Sequence, residues 1–239
     1  DLSSIRHSLS AGEPLNPEAI RVWEDATGTK PHDGYGQTET VCLVSNHPGI
    51  PVRPGSMGKS VPGIDVDVID DDGNRVEADT IGHIGVKTGD EWPPGLFRGY
   101  QDDDGTNDQV FRNGWYFTGD TATRDADGSI WFVGRADDVI LSAGYRISPF
   151  EVESTLQEHP AVAESAVVGK ADDTRGQIVK AFVVLAAGRE PDDATARELQ
   201  HFVREQTAAY KYPREIEFRD ELPKTISGKI RRVELREEA

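Results

Sequence analysis

The sequence predicts a two-part fold of mixed α+β and α/β character, and three observations carry that expectation. The first 50 residues read as strand, turn, helix and loop. Residues 55–135 string short apolar and aromatic segments between Gly, Pro and Asp punctuation. After residue 137, helical and extended patterns alternate. The 239 residues suffice for one large domain or two ordinary ones, and an apolar content of 36% supplies real cores. The parts are set at residues 1–136 and 137–239.

Ile5 to Leu9 reads as a short strand. Asn16-Pro17 suits a helix start, with Asn as N-cap and Pro in the first turn; Ile20, Val22 and Trp23 supply apolar contacts, and Gly28 is the stop. Pro31 to Glu39 follows as a polar loop. Ile64 to Ile69 alternates as a half-buried strand should. Asp72-Gly73-Asn74 and Ala126-Asp127-Gly128 are hairpin turns, while Trp115 to Phe117 and Ile130 to Val133 are aromatic strands. So many short strands imply a barrel-like or sandwich subdomain over residues 55–135.

In the second part, Ser148-Pro149-Phe150-Glu151 is a capping box. The helix behind it carries Val152 and Leu156 and stops near His159-Pro160. Val162 to Val168, Lys180 to Leu185 and Ile216 to Phe218 read as strands. A second helix runs from Asp193 to Ala209 with Leu199, Phe202 and Val203 on one face.

The formal charge is −17, from 43 acidic and 26 basic residues, and runs such as Asp70-Asp71-Asp72 and Asp102-Asp103-Asp104 read as solvated loops. So acidic a surface argues against general nucleic-acid binding, which draws on Lys and Arg. It is a composition expected of salt adaptation, as in halophiles. The apolar run from Ala181 to Ala187 is too short to span a bilayer. Cys42 is the single cysteine, which excludes an intrachain disulfide or a thiolate zinc site, and a cytoplasmic location is expected. The first residues show no initiator Met and no signal-peptide pattern.

Several segments have the chemistry to meet an anion. Tyr35-Gly36-Gln37-Thr38-Glu39 offers backbone N–H groups, a hydroxyl and a carboxylate; it is either a phosphate cradle with a Mg²⁺ ligand in Glu39 or a polar surface loop. Asp120, after an aromatic strand in Thr118-Gly119-Asp120, can accept two ribose hydroxyls or can be a turn aspartate. Gly134-Arg135-Ala136-Asp137-Asp138 can bind phosphate or sugar and form a hinge, or can be a linker with a surface ion pair. Ser142-Ala143-Gly144-Tyr145-Arg146 suits an anionic ligand against backbone, or is another turn. Near the C-terminus, Gly228 in Pro223-Lys224-Thr225-Ile226-Ser227-Gly228-Lys229 permits a tight turn that holds Lys229 at its tip, where it meets a phosphate or carboxylate or stays solvated.

Together with Ser10-Ala11-Gly12-Glu13-Pro14, the order of these segments closely resembles the successive motifs of the adenylate-forming enzymes: acyl-CoA synthetases, peptide-synthetase adenylation domains and luciferases. Gly144-Tyr145-Arg146-Ile147 and Ala209-Tyr210-Lys211-Tyr212-Pro213-Arg214 look most like the medium-chain acyl-CoA synthetases. The resemblance covers essentially the whole chain, but the family's Ser/Thr/Gly-rich phosphate loop is absent from it. The similarity is therefore to the C-terminal part of the large AMP-binding domain followed by the small α+β lid domain.

That resemblance implies an AMP-forming acid–CoA ligase whose substrates are a small-molecule carboxylic acid, ATP and coenzyme A, with Mg²⁺ as cofactor and no nucleic-acid partner. Gly12, Glu13 and Pro14 would line the adenine site, with Asp33, Gly34, Tyr35, Gly36 and Gln37 beside it. Thr38 would meet the α-phosphate or the acyl carboxylate, and Glu39 would hold the metal. Asp120 and Arg135 would bind the ribose, Arg146 the nucleotide, and Lys229 would bridge the attacking carboxylate and the α-phosphate. Ser142, Ala143, Gly144, Tyr145 and Arg175 would serve coenzyme A, and Asp137 would be the hinge. An adenylation domain that loads a carrier protein and a non-catalytic nucleotide-binding module are the alternatives; lacking the phosphate loop, the chain alone is expected to be inactive.

Overall fold

The computed structural model describes every residue except Pro14, Asn16, Asp90 and Ser227, and describes Pro17 without its side chain. The expected cap Asn16, the expected adenine contact Pro14 and Ser227 of the basic turn lie outside the described residues. The chain divides into two compact units, Asp1–Ala136 and Asp137–Ala239.

The first unit runs β1 (Ser8–Ala11), α1 (Pro17–Thr27), β2 (Pro31–Gly36), β3 (Cys42–Ser45), β4 (Lys59–Ser60), β5 (Val66–Ile69), β6 (Gly82–Lys87), α2 (Asp104–Val110), β7 (Phe111–Arg112), β8 (Trp115–Arg124) and β9 (Ile130–Arg135). Strands β1 to β4 form one sheet in sequence order, parallel between β1 and β2 and antiparallel thereafter. A second, antiparallel sheet has the order β5-β6-β8-β7, with β9 also beside β8. Gly58 bridges to Ile130, and Met57 N donates to Ile130 O at 3.0 Å, fastening one sheet to the other. Leu43, Val44, Val68, Ile84, Tyr116 and Ile130 are buried between them, each worth about 1.5–3 kcal/mol of transfer free energy.

Several sequence expectations shift here. The first strand is Ser8–Ala11, not Ile5 to Leu9, because its register is set by β2: Ser8 lies opposite Pro31 and Ala11 opposite Gly34. Pro31–Gly36 is a strand rather than a loop; its polar residues are tolerated because Asp33 is buried with backbone partners. Among the described side chains of α1 only Ile20 is buried, while Val22 and Trp23 face outward. All four residues of β5 are buried, Asp67 among them, so the strand is not half-exposed. Asp67 is compensated by Arg124 Nε at 2.6 Å and Arg75 Nε at 3.1 Å. Asp102-Asp103-Asp104 is solvent-exposed as expected, but it leads into a helix: Asp103 Oδ1 accepts from Thr106 N at 3.1 Å, capping α2, whose first residue is Asp104.

The second unit runs β10 (Ile140–Ser142), β11 (Tyr145–Ile147), α3 (Pro149–Gln157), β12 (Val162–Asp172), β13 (Gly176–Leu185), α4 (Asp193–Gln206), β14 (Glu215–Phe218) and α5 (Arg232–Glu237). Its sheet has the order β11-β10-β13-β12, with β14 parallel to β13. Ser148 Oγ accepts from Glu151 N at 3.2 Å, the expected cap of α3. The predicted strands at 162–168 and 180–185 prove to be arms of one longer hairpin, whose tip is an Asx turn: Asp172 Oδ1 accepts from Thr174 N and Arg175 N at 3.0 and 2.8 Å. The sheet is covered on both faces. Val152, Leu156, Val179, Val183, Leu199 and Val203 pack on one; Ala166, Val168, Phe182, Leu222 and Leu235 pack on the other, under α5, a helix with no sequence expectation. Burial on both faces accounts for the unbroken apolar run of β13.

Candidate functional site

In the first unit the candidate residues gather where β1 and β2 end. These strands are parallel, so Gly12 and Glu13, just past β1, emerge beside Gly34 to Gly36. The region outside the carboxyl ends of parallel strands is where open α/β sheets take ligands. Asp33 is buried, with Oδ1 accepting from Gly34 N at 2.9 Å. Burial pushes its carboxyl up, and the backbone donors Leu15 and Gly34 partly offset this. At Gly36 the pairing with β3 slips by one residue, and a Cβ there would collide with the Val41 carbonyl oxygen. The bulge turns Gln37 to Glu39 away from the ladder.

Asp120 is the centre of the arrangement. It is 5% exposed and sits on β8 directly opposite Arg135 of β9. Its Oδ2 accepts from Tyr35 OH at 2.6 Å and from Gln37 Nε2 at 2.8 Å, while its Oδ1 lies 3.8 Å from Arg135 Nε. Gln37 Nε2 also donates to Thr118 O at 2.9 Å, and its Oε1 accepts from Tyr116 OH at 3.1 Å. Burial first, and the Asp120 charge second, hold the Tyr35 phenol well above its usual range, so it stays a donor. Tyr116 is likewise pushed up, by burial and then by the neighbouring Tyr100 and Glu39. A carboxylate fixed by neutral donors, with a largely exposed guanidinium across the ladder, is chemically suited to vicinal hydroxyls.

Thr38 and Glu39 follow in a turn, with Thr38 exposed and Glu39 half-buried. Glu39 Oε1 accepts from Tyr100 OH at 2.8 Å, and Oε2 has no hydrogen-bond partner among the described residues. Burial, then the bond to Glu39, raises the Tyr100 phenol. Among the described residues no cluster of three His, Cys, Asp or Glu could hold a metal ion. A lone carboxylate oxygen does fit Mg²⁺, which takes one or two protein carboxylates and completes its shell with water and substrate phosphates.

In the second unit, Ser142 and Tyr145 are paired across a two-residue hairpin whose Ala143 and Gly144 have φ of 49° and 83°. Ala143 N donates to Arg175 O at 2.9 Å, and Ser142 lies opposite Gly176. The five residues assigned to coenzyme A therefore come together at one end of the sheet. Tyr145, half-exposed, stacks on Tyr210 at 4.1 Å, and Arg146 is exposed on β11. The base of the Lys229 turn stands at the other end, where Lys224 Nζ reaches Glu164 at 2.6 Å. Thr225 N donates to Lys229 O at 2.8 Å and Lys229 N to Thr225 Oγ1 at 3.0 Å, with Gly228 at φ 87° and Lys229 exposed. From Glu164 to Asp172, β12 covers roughly 27 Å at about 3.4 Å per residue. Asp137 is the first residue of the unit; its carbonyl accepts from Arg236 Nη1 at 2.9 Å, and Asp138 also pairs with Arg236.

Tyr100 and Tyr116 are not among the sequence candidates, and Thr118 enters there only as part of Thr118-Gly119-Asp120, with no role of its own. The three meet the motif residues from 61 to 81 positions away, contacts that no local pattern marks.

Residues 1–101 match the family described as AMP-binding enzyme, and residues 151–229 match the AMP-binding enzyme C-terminal domain. The chain is 52% identical over 233 residues to 4-hydroxybutyrate–CoA ligase 1 of Metallosphaera sedula, covering 97% of this chain and 41% of that protein. It is 48% identical over 236 residues to the mitochondrial acyl-coenzyme A synthetase ACSM3 of Mus musculus, covering 98% and 41%. Among solved structures it is similar to the anthranilate CoA ligase AuaEII in complex with anthranoyl-AMP, with a TM-score of 0.90, 42% identity, and coverage of 100% of this chain and 45% of that one. The chain spans 41% of the length of these two curated relatives.

Proposed function

This chain belongs to the AMP-binding, adenylate-forming enzyme family, and on that premise we propose that its protein is an AMP-forming acid–CoA ligase. In the first half-reaction a carboxylate oxygen attacks the α-phosphorus of ATP and pyrophosphate leaves. In the second, the thiol sulfur of coenzyme A attacks the acyl carbonyl, AMP leaves and the thiol proton is released. Asp120 carries the reading: a buried carboxylate with one oxygen fixed by Tyr35 and Gln37, its other oxygen 3.8 Å from Arg135 Nε, beside the ends of two parallel strands. In this role Asp120 and Arg135 take the ribose hydroxyls, and Gly12, Glu13 and the 33–37 segment take the base. Thr38 donates to the α-phosphate or the acyl carboxylate.

Two anions must meet in the first step, so cationic charge has to stand where negative charge grows at phosphorus. Lys229 supplies it from the tip of its turn. Glu39 would hold Mg²⁺, which when bound neutralises phosphate charge. The second step uses the Ser142 to Tyr145 hairpin and Arg175, whose guanidinium favours the phosphates of coenzyme A over an uncharged acceptor. Because the Lys229 turn and the Arg175 tip stand at opposite ends of β12, the second unit is suited to offering them in turn, with Asp137 as hinge.

The test is acid-dependent ATP–pyrophosphate exchange by the full-length protein, followed by thioester formation with coenzyme A or with a carrier protein as acceptor. Lys229→Ala is expected to lose exchange by on the order of 100- to 1000-fold yet still to convert supplied acyl-adenylate to thioester. Equal loss in both steps would refute the role of Lys229. No exchange with any carboxylic acid would refute the ligase reading.

A further inference from the structure

The carboxylate of Glu39 is held from outside its own motif. Tyr100 OH donates to Glu39 Oε1 at 2.8 Å, and Phe97 N donates to Glu39 O at 2.8 Å, so the 97–100 segment grips both side chain and backbone of one residue. Tyr100 is itself pinned. Asn107 of α2 accepts from Tyr100 N with Oδ1 at 2.7 Å and donates to Tyr100 O with Nδ2 at 2.8 Å, a two-point amide clamp on one residue's backbone. The clamp needs Gly99 to be a glycine: a Cβ there would stand 2.9 Å from Asn107 Oδ1. The Tyr100 ring packs edge-on against Phe97 at 4.9 Å, fixing the direction of the phenol.

We propose that Tyr100, clamped by Asn107, is a positioning residue that presents the Glu39 carboxylate to a divalent cation bound with the nucleotide. The inference rests on the reading above and adds to it an outer partner that the motifs do not contain. One carboxylate oxygen is occupied by the phenol, which leaves Oε2 as the metal-facing atom. Helix α2, opened by the acidic run at 102–104, thereby supports the site, since its Asn107 sets the backbone from which the phenol reaches. Groups that orient a metal ligand typically change metal affinity by about 10- to 100-fold when removed.

The experiment is a Mn²⁺ titration followed by electron paramagnetic resonance. It uses the full-length protein with a non-hydrolysable ATP analogue, comparing the parent with Tyr100→Phe, Asn107→Ala and Glu39→Gln. Tyr100→Phe keeps the ring packing and removes only the phenol donor. Its Mn²⁺ dissociation constant is expected to rise about tenfold, with the melting temperature unchanged and pyrophosphate exchange restored by raised Mg²⁺. Should the melting temperature fall, Asn107→Ala, which keeps the phenol, reads the same dependence. An unchanged Mn²⁺ constant in Tyr100→Phe, beside a raised one in Glu39→Gln, overturns the positioning role and leaves the ligase reading standing. A parent that binds no Mn²⁺ with the analogue and shows no acid-dependent exchange overturns both.

Discussion

The side-chain amide of Gln37 joins the end of β2 to the middle of β8: its Nε2 donates to Asp120 Oδ2 at 2.8 Å and to Thr118 O at 2.9 Å. Its Oε1 meanwhile accepts from Tyr116 OH, so both ends of the amide are satisfied. The orientation of Asp120 therefore depends on a residue 83 positions away.

Removing that donor should weaken nucleotide binding. A hydrogen bond to a charged group is worth about 1.5–3 kcal/mol, or roughly 10- to 100-fold in affinity. Gln37→Ala in the full-length protein is expected to raise the dissociation constant for ATP by that factor in calorimetric titration. Gln37→Glu should be worse at neutral pH, because two carboxylates then face each other, and should recover as pH falls and one of them takes a proton. Unchanged affinity in both variants would show that Asp120 is oriented without Gln37.

Asp137 opens the second unit, and its carbonyl is held by Arg236 of α5 at 2.9 Å. Asp137→Pro would lock φ near −65° at this boundary. Single-turnover measurements of the two half-reactions are expected to show thioester formation slowed more than adenylate formation. Equal rates for parent and variant in the thioester step would remove Asp137 from the hinge.

Glu153 of α3 is 4% exposed; its Oε1 accepts from Val167 N at 2.8 Å, and its Oε2 pairs with Arg232 at 2.7 Å. Burial pushes this carboxyl up, and Arg232 opposes the shift. Arg232→Ala leaves an uncompensated buried charge, which costs about 3–5 kcal/mol. The sign follows from linkage. With its folded pKa raised further, Glu153 binds more protons folded than unfolded, so stability is retained at low pH and falls as pH rises from the unfolded value through the folded one. Melting temperatures across pH should show the deficit of Arg232→Ala shrinking as the solution is acidified. A pH-independent deficit would contradict this account.

Local signals were legible where the deciding contacts lie within a few residues. Ser148 and Glu151 mark the start of α3, Gly128 marks the β8–β9 turn at φ 84°, and Gly228 marks the Lys229 turn. The motif positions were readable for the same reason, since Tyr35 to Glu39 and Ser142 to Arg146 are continuous peptides. Strand limits were less so: Pro31–Gly36 has a loop-like composition, but the parallel pairing with β1 draws it into a sheet.

From residue order alone came the two-part division of patterns, the β-rich middle and the identity of the anion-handling segments. Only the folded chain decided what holds them: Tyr35 and Gln37 on Asp120, Tyr100 on Glu39, Ala143 on Arg175. Turn and cap preferences are energies of neighbouring residues and so are written locally. Contacts between residues 61 to 85 positions apart depend on strand register and bulges, which are settled only when whole sheets bury their apolar faces together.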